Sequence, residues 1–133
     1  MPSHNIPLIL TVILGLAACA SAGNETLRSE TQVSLDQKFE KGVTTKEQVK
    51  TSFGQPQTLN FTDSGNEVWK YRHVRAKAKA TNFIPVVDLL AGGQDLKTKE
   101  LALFFDTNGV LVNYSMTESK SEIRTGLITA NAQ

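Results

Sequence analysis

The sequence predicts an α+β fold in which two short N-terminal helices pack on one face of a three- to four-stranded antiparallel sheet. Two segments with apolar residues at helical spacing come first, and segments with period-two alternation follow them. An Asn-Gly pair joins the last two alternating segments, which is typical of a β-hairpin. Helices followed by consecutive antiparallel strands bury their apolar sides by lying on one face of the sheet.

The first helix is expected at residues 34–41. Leu35 and Phe39 are four residues apart, so they share one side of a helix. Gly42 follows and is a typical helix stop.

The second helix has signals at both ends. Thr44 and Glu47 have the spacing of a capping box, in which the two residues satisfy each other's backbone N–H groups. The helix is expected to run to Phe53, where Gly54 supplies a residue with positive φ and Pro56 prevents continuation.

The strands are predicted by alternation. Trp69, Tyr71 and His73 occupy every second position of a run and give a strand with an aromatic face. Trp69 and Tyr71 are expected in the core, with partner binding as the alternative, and His73 is expected to be half-exposed. Strands are expected at residues 67–75, 100–106 and 110–116, with a short edge strand at 58–61.

The N-terminus has the pattern of an export signal. Residues 6–18 are uncharged and apolar, a run too short to span a membrane and of the length of a signal-peptide core. It ends in small residues before Cys19, the sole cysteine of the 133 residues, and this resembles the lipobox of bacterial lipoproteins. The alternative is an ordinary secretory peptide cut after Ala18 or Ala20.

The resemblance to a lipobox implies a signal peptide at residues 1–18 and a Cys19 that carries N-acyl and S-diacylglycerol groups. Three acyl chains hold a protein stably on a membrane. Ala20, where an Asp would favour inner-membrane retention, implies the outer membrane. Residues 19–33 are expected to be a flexible lipidated tether, residues 34–117 the folded domain, and residues 118–133 a disordered tail.

Charge is balanced overall but not locally. Fourteen Lys and Arg residues against thirteen Asp and Glu residues give a net charge of +1, which indicates no particular partner. Five cations form a cluster without an acid, and location at a membrane disfavours nucleic acid as its partner. The cluster consists of Lys70, Arg72, Arg75, Lys77 and Lys79.

An insertion is expected between two strands at residues 76–98. Its apolar centre has helical spacing and is flanked by lysines, which favours contact with a partner or with anionic phospholipid head groups. The alternatives are a solvated strand end for the cations and a stripe that folds back on the domain's own sheet. The apolar candidates are Phe83, Ile84, Val87 and Leu90.

Catalysis and metal binding are not expected. His73 is the only histidine after the leader, and no Cys or His partner lies at ligand spacing. Asp63 and Asp106 lie in predicted turns, where they are expected to accept hydrogen bonds from the backbone. No cofactor other than the covalent lipid is therefore expected.

An ordered set of motifs resembles the SmpA/OmlA (BamE-like) outer-membrane lipoprotein family. The motifs are Gly42-Val43-Thr44, Glu47-Gln48-Val49, Phe53-Gly54-Gln55-Pro56, Trp69-Lys70-Tyr71 and the hairpin at residues 101–113. The resemblance implies a BamE/BLIP-like fold and a non-catalytic interaction or scaffold role in outer-membrane assembly or integrity, with a periplasmic or outer-membrane protein partner. Two alternatives stay open: an inhibitor or ligand-sensing module that binds a periplasmic protein, and an envelope-stress lipoprotein outside the barrel-assembly machinery.

Overall fold

The computed structural model describes residues 20–83, 86–87 and 91–125, so the signal peptide and Cys19 lie outside the described residues. The helices are α1 (Glu25–Ser29), α2 (Gln32–Lys38) and α3 (Lys46–Phe53). The strands are β1 (Ala20–Gly23), β2 (Thr58–Phe61), β3 (Glu67–Ala78), β4 (Gly93–Phe105) and β5 (Leu111–Arg124). Among the described residues, no helix is long and apolar enough to cross a membrane.

The predicted α+β class is confirmed. All five strands belong to one antiparallel sheet in the order β1-β3-β4-β5, and β2 also pairs with β3. The described elements thus include three α-helices, one short 3-10 helix at Ala80–Phe83 and five strands, where the sequence predicted two helices and three to four strands. The additional α-helix and strand come from the segment before residue 34.

The core lies on one face of the sheet. Odd-numbered residues of β3 and β4 lie opposite one another, as in the pair Trp69 and Leu103, so their side chains share a face. We call it the odd face. The helices contribute Leu27, Leu35 and Val49 to the same buried cluster. Trp69 and Tyr71 are buried there, which confirms their prediction as core residues.

Helix α3 begins one residue later than predicted. Thr45, and not Thr44, is the cap, and its partner is Gln48. Thr44 is engaged elsewhere, because its side chain accepts a hydrogen bond from the Glu40 N–H and its carbonyl accepts one from Leu111. Gly54 ends the helix with φ 75° and ψ −160°, a region that is essentially restricted to glycine.

The hairpin between β4 and β5 turns at residues 106–110. The Asp106 carboxylate accepts hydrogen bonds from the N–H groups of Asn108 and Val110, as expected for a turn aspartate. Gly109 has φ 80°, whereas no described residue other than glycine has positive φ. The turn therefore uses one left-handed residue where a two-residue Asn-Gly turn needs two.

The expected tether is ordered from residue 20 onward, which corrects the expectation for residues 20–33. Asn24 caps α1 by accepting from the Leu27 N–H, and its side-chain amide donates to the Phe53 carbonyl at 2.6 Å. Leu27 is fully buried in the core. A segment with one leucine therefore folds here because the rest of the domain supplies the surface that covers it.

The sheet extends into both the expected tail and the expected insertion. β5 continues through residues 118–124, and β3 and β4 remain paired out to Ala78 and Gln94. The excursion between them is therefore residues 79–92 and not 76–98. Strand pairing satisfies the backbone groups of these largely polar segments although they bury little apolar surface, which explains both corrections.

Candidate interaction surface

The long strands extend past the helices as a projection. We call residues 74–78, 93–98 and 119–124 the distal arm. Its side chains are exposed or half-exposed apart from Gly93. Six residues of strand correspond to a length of about 20 Å. The arm therefore presents a sheet surface that the helices do not cover.

The predicted cation cluster is divided between the two faces of this sheet. Lys70 and Arg72 lie on the even face, where Lys70 is 3.8 Å from Glu100 and Arg72 is exposed. Arg75 and Lys77 lie on the odd face. Lys79 follows the end of β3 and pairs with Glu122. A strand alternates its side chains, so five neighbours in sequence do not form one patch.

The odd face of the arm carries a row of like charges. Arg75 lies opposite Lys97, and Lys97 lies opposite Lys120, so three cations cross β3, β4 and β5 side by side. We call these residues the cation row. Like charges directly opposite one another destabilise a sheet. The row is therefore an arrangement that folding alone does not favour.

Acidic residues offset only part of this charge. Glu118 lies 2.8 Å from Lys97, and this hydrogen bond holds the pKa of its carboxyl below the usual 4.5. Glu122 pairs with Lys79 and with Arg124 at 3.0 Å. Three cations make no ion pair with any described residue: Arg75, Lys77 and Lys120.

A groove of about 550 Å³ runs along the arm. Its charged lining consists of the cation row with Lys77, and of Asp95 and Glu122. A second groove, of about 490 Å³, lies beside α2 and α3 and mixes Lys38 with Asp36 and Glu40. A third groove, on the even face, is lined by Lys70 and Arg72 against Glu100, so the arm groove has the larger excess of positive charge.

A buried polar cluster joins the arm to the core. The Lys99 ammonium donates to the carbonyl oxygens of Arg28 at 2.8 Å and Glu30 at 2.6 Å. Burial opposes ionisation of Glu30, but hydrogen bonds from Lys38 and Ser34 hold the pKa of its carboxyl below 4.5. These contacts fix the end of α1 onto the sheet at the base of the arm.

His73 belongs to the same junction and is only 3% exposed, which corrects the prediction of a half-exposed histidine. Gly23 of β1 lies opposite it in the sheet. Its Nε2 is 3.5 Å from a Glu25 carboxylate oxygen and has no hydrogen bond to a described residue.

Replacing Lys99 with methionine is expected to lower the free energy of unfolding by about 2 kcal/mol, because two carbonyl groups then lose a charged donor. Urea denaturation measures the change. Lys97→Met is the control, since its exposed ion pair contributes little. Equal stability of both variants would show that water replaces the ammonium at the α1 carbonyls.

The excursion at residues 79–92 is closed by Asn82. Its side chain donates to the Gly93 carbonyl and accepts from the Gly93 N–H, both at 3.0 Å. Phe83 is the last residue of a 3-10 helix over Ala80–Phe83, and Val87 is half-exposed. Ile84 and Leu90 lie outside the described residues, so the apolar stripe stays a prediction.

The chain enters the fold beside the arm. Ala20 pairs with Ala76, and Ser21 lies opposite Arg75. Cys19 is one peptide bond before Ala20, a distance of about 3.8 Å between Cα atoms. A lipid on Cys19 would therefore be attached close to the start of β1, which lies beside Arg75 of the cation row.

Sequence reasoning missed Lys120 as a member of this surface. The signal was the alternation of Glu118, Lys120, Glu122 and Arg124, which has the period of a strand.

The described residues contain no group of three His, Cys, Asp or Glu side chains placed to hold a metal ion. No protein-family model, curated protein or solved structure matches the chain.

Proposed function

We propose that this protein is a lipid-anchored, non-catalytic interaction module of the bacterial cell envelope. It is held at the periplasmic face of the outer membrane by acylated Cys19 and uses the distal arm to bind an anionic partner. Its role is to support outer-membrane assembly or integrity, as the resemblance to the SmpA/OmlA family implies.

The observation that carries this proposal is the cation row beside the start of β1. Arg75 and Lys120 make no ion pair within 4 Å among the described residues, and Lys97 between them shares Glu118 with Lys99. An anionic surface would relieve the repulsion within the row, because each cation near such a surface contributes about 1 kcal/mol of binding.

Attachment at Cys19 makes a weak interface sufficient. Anchoring confines the arm to the membrane surface, where the effective concentration of a membrane-bound partner is high. Because Ala20 is paired within the sheet, the lipid also orients the arm toward the membrane. A BamE/BLIP-like architecture is part of the same proposal, supported by α3, its Gly54 stop and the hairpin that ends at Leu111.

Reversing two charges of the cation row tests the proposal. The variant Arg75→Glu with Lys97→Glu is expected to weaken binding by at least about thirtyfold, which corresponds to two cations at about 1 kcal/mol each. Sedimentation with phosphatidylglycerol vesicles measures lipid binding, and co-purification from envelope membranes measures protein binding.

The matched control reverses Lys41 and Lys50, two exposed cations on the helix side of the domain. Loss of vesicle binding alone identifies a lipid surface, and loss of a co-purifying protein alone identifies a protein partner. Equal effects of the arm variant and the control would overturn the assignment of the arm as the interface.

A further inference from the structure

The outer edge of β5 is unpaired over most of its length. β5 is the last strand in the sheet order, and only its first residue is covered, since Leu111 exchanges hydrogen bonds with Gly42 and Thr44. Among the described residues no strand pairs with residues 114–124 on that side. Exposed edges of this length are sites of strand addition.

The hydrogen-bonding direction of each β5 residue follows from one contact. The Thr125 N–H donates inward to the Gly92 carbonyl at 2.9 Å. Because backbone direction alternates along a strand, the even-numbered residues direct their N–H and C=O groups away from β4. The groups available to a new strand are those of Glu118, Lys120, Glu122 and Arg124.

These four residues also alternate in charge, and their side chains lie on the odd face. Consider a second copy that adds its own β5 in the antiparallel direction. Residues whose backbone groups point outward must lie opposite each other in the two copies, so even-numbered residues face even-numbered residues. The two-fold axis must then pass through a residue and not between two residues. Charge then distinguishes the possible registers.

An axis through Lys120 places Glu118 of one copy opposite Glu122 of the other. An axis through Glu122 places Lys120 opposite Arg124, so both axes bring like charges together. An axis through Ser121 instead places Glu118 opposite Arg124 and Lys120 opposite Glu122, each pair occurring twice by symmetry. An axis through Ser119 gives only the Glu118 and Lys120 pairs. Opposite charges across strands stabilise a sheet, so Ser121 is the favoured axis.

The even face permits the same register. Thr117, Ser119 and Ser121 are small, and Ser119 of one copy would lie opposite Ile123 of the other. Ile123 is 47% exposed and would lose water-accessible apolar surface. Within residues 114–124 the pairing with β4 shows no register shift, so the edge is continuous.

We propose that two copies of this chain associate through residues 118–124 of β5, in antiparallel register about a two-fold axis at Ser121, and form one sheet that continues across both molecules. Association in this register explains why the edge carries charges of alternating sign. An edge that is protected from pairing typically carries lysines only. Lys120 belongs to both this edge and the cation row, whereas Arg75 and Lys97 lie on β3 and β4 and stay available to an anionic partner in the dimer.

Cysteine cross-linking tests the register. In the full chain with Cys19→Ser, an introduced Ser121→Cys is the only thiol. Ser121 forms a non-hydrogen-bonded pair with itself across the axis, with Cα atoms about 4.5 Å apart, within the range of a disulfide. Mild oxidation is expected to give a covalent dimer in high yield.

Ser119→Cys in the same background is the control. The two copies of residue 119 would be separated by about 13 Å along the strands, too far for a disulfide. Cross-linking through residue 119 but not 121, or through neither residue, would overturn the proposed register.

Charge exchange tests the association itself. Lys120→Glu and Glu122→Lys are each expected to weaken self-association about tenfold, because two attractive pairs become repulsive in each variant. A mixture of the two is expected to form a heterodimer, since every position 120 then faces an opposite charge at position 122. Sedimentation of the chains in detergent measures each dimer fraction.

Lys50→Glu, on the exposed surface of α3, is the control for net charge and should dimerise like the parent chain. Loss of the Glu122 ion pairs within one molecule has little effect, because they are exposed. Unchanged dimerisation of the single variants, or no heterodimer in the mixture, would overturn the proposal.

Discussion

Replacement of Cys19 by serine is expected to abolish incorporation of labelled fatty acid and to release the protein from membranes. Serine lacks the thiol that accepts diacylglycerol. Among the described residues no helix can span a membrane, so no described helix substitutes for the lipid. Metabolic labelling with a radioactive fatty acid, followed by fractionation of the envelope, measures both effects.

The control for this variant is Ser21→Cys, which adds a second thiol two residues away and should leave labelling unchanged. A Cys19→Ser protein that still incorporates lipid and sediments with outer membrane would contradict the lipobox assignment. Release into the periplasm with an unchanged melting temperature is the expected result, because the described core lies within residues 27–111.

Replacement of Leu27 by alanine is expected to lower the free energy of unfolding by about 3 kcal/mol. Leu27 is fully buried in the core, although its sequence surroundings are small and polar. Truncation removes buried apolar surface and leaves a cavity at the junction of α1, β3 and β4. Chemical denaturation measures the change.

Val33→Ala is the matched control, because Val33 is 67% exposed and its truncation should change stability by less than about 0.5 kcal/mol. Equal stability of both variants would mean that residues 20–33 are a tether after all. In that case the lipid would no longer be held beside the cation row, and the orientation of the arm at the membrane would need another cause.

The tertiary contacts also determine where β1 begins relative to the distal arm. Lys99 holds the end of α1, and Asn24 holds its start through the Phe53 carbonyl. β1 is therefore fixed between α1 and the edge of β3, so the position of Ala20 is set by the core. The start of β1 and the cation row at residues 75, 97 and 120 then have a constant relative position.

Sequence alone determined the elements whose signals are local. The α3 helix, its Gly54 stop, the aromatic side of β3 and the β4–β5 hairpin depend on spacing, caps and turn chemistry within a few residues. The predicted cap was wrong by one residue because the Thr44 carbonyl accepts a hydrogen bond from the Leu111 N–H, and Thr45 caps the helix instead. The hairpin turn is also bonded to another element, since its Gly109 carbonyl accepts a hydrogen bond from the Lys46 N–H.

Tertiary structure alone decided what depends on distant partners. Leu27 is buried because helices and strands far along the chain cover it, and residues 118–124 form a strand because β4 satisfies their backbone groups. The cation row likewise exists only through pairing, since Arg75, Lys97 and Lys120 are far apart in sequence. Local patterns carry no information about register between strands, and register is what assembled this surface.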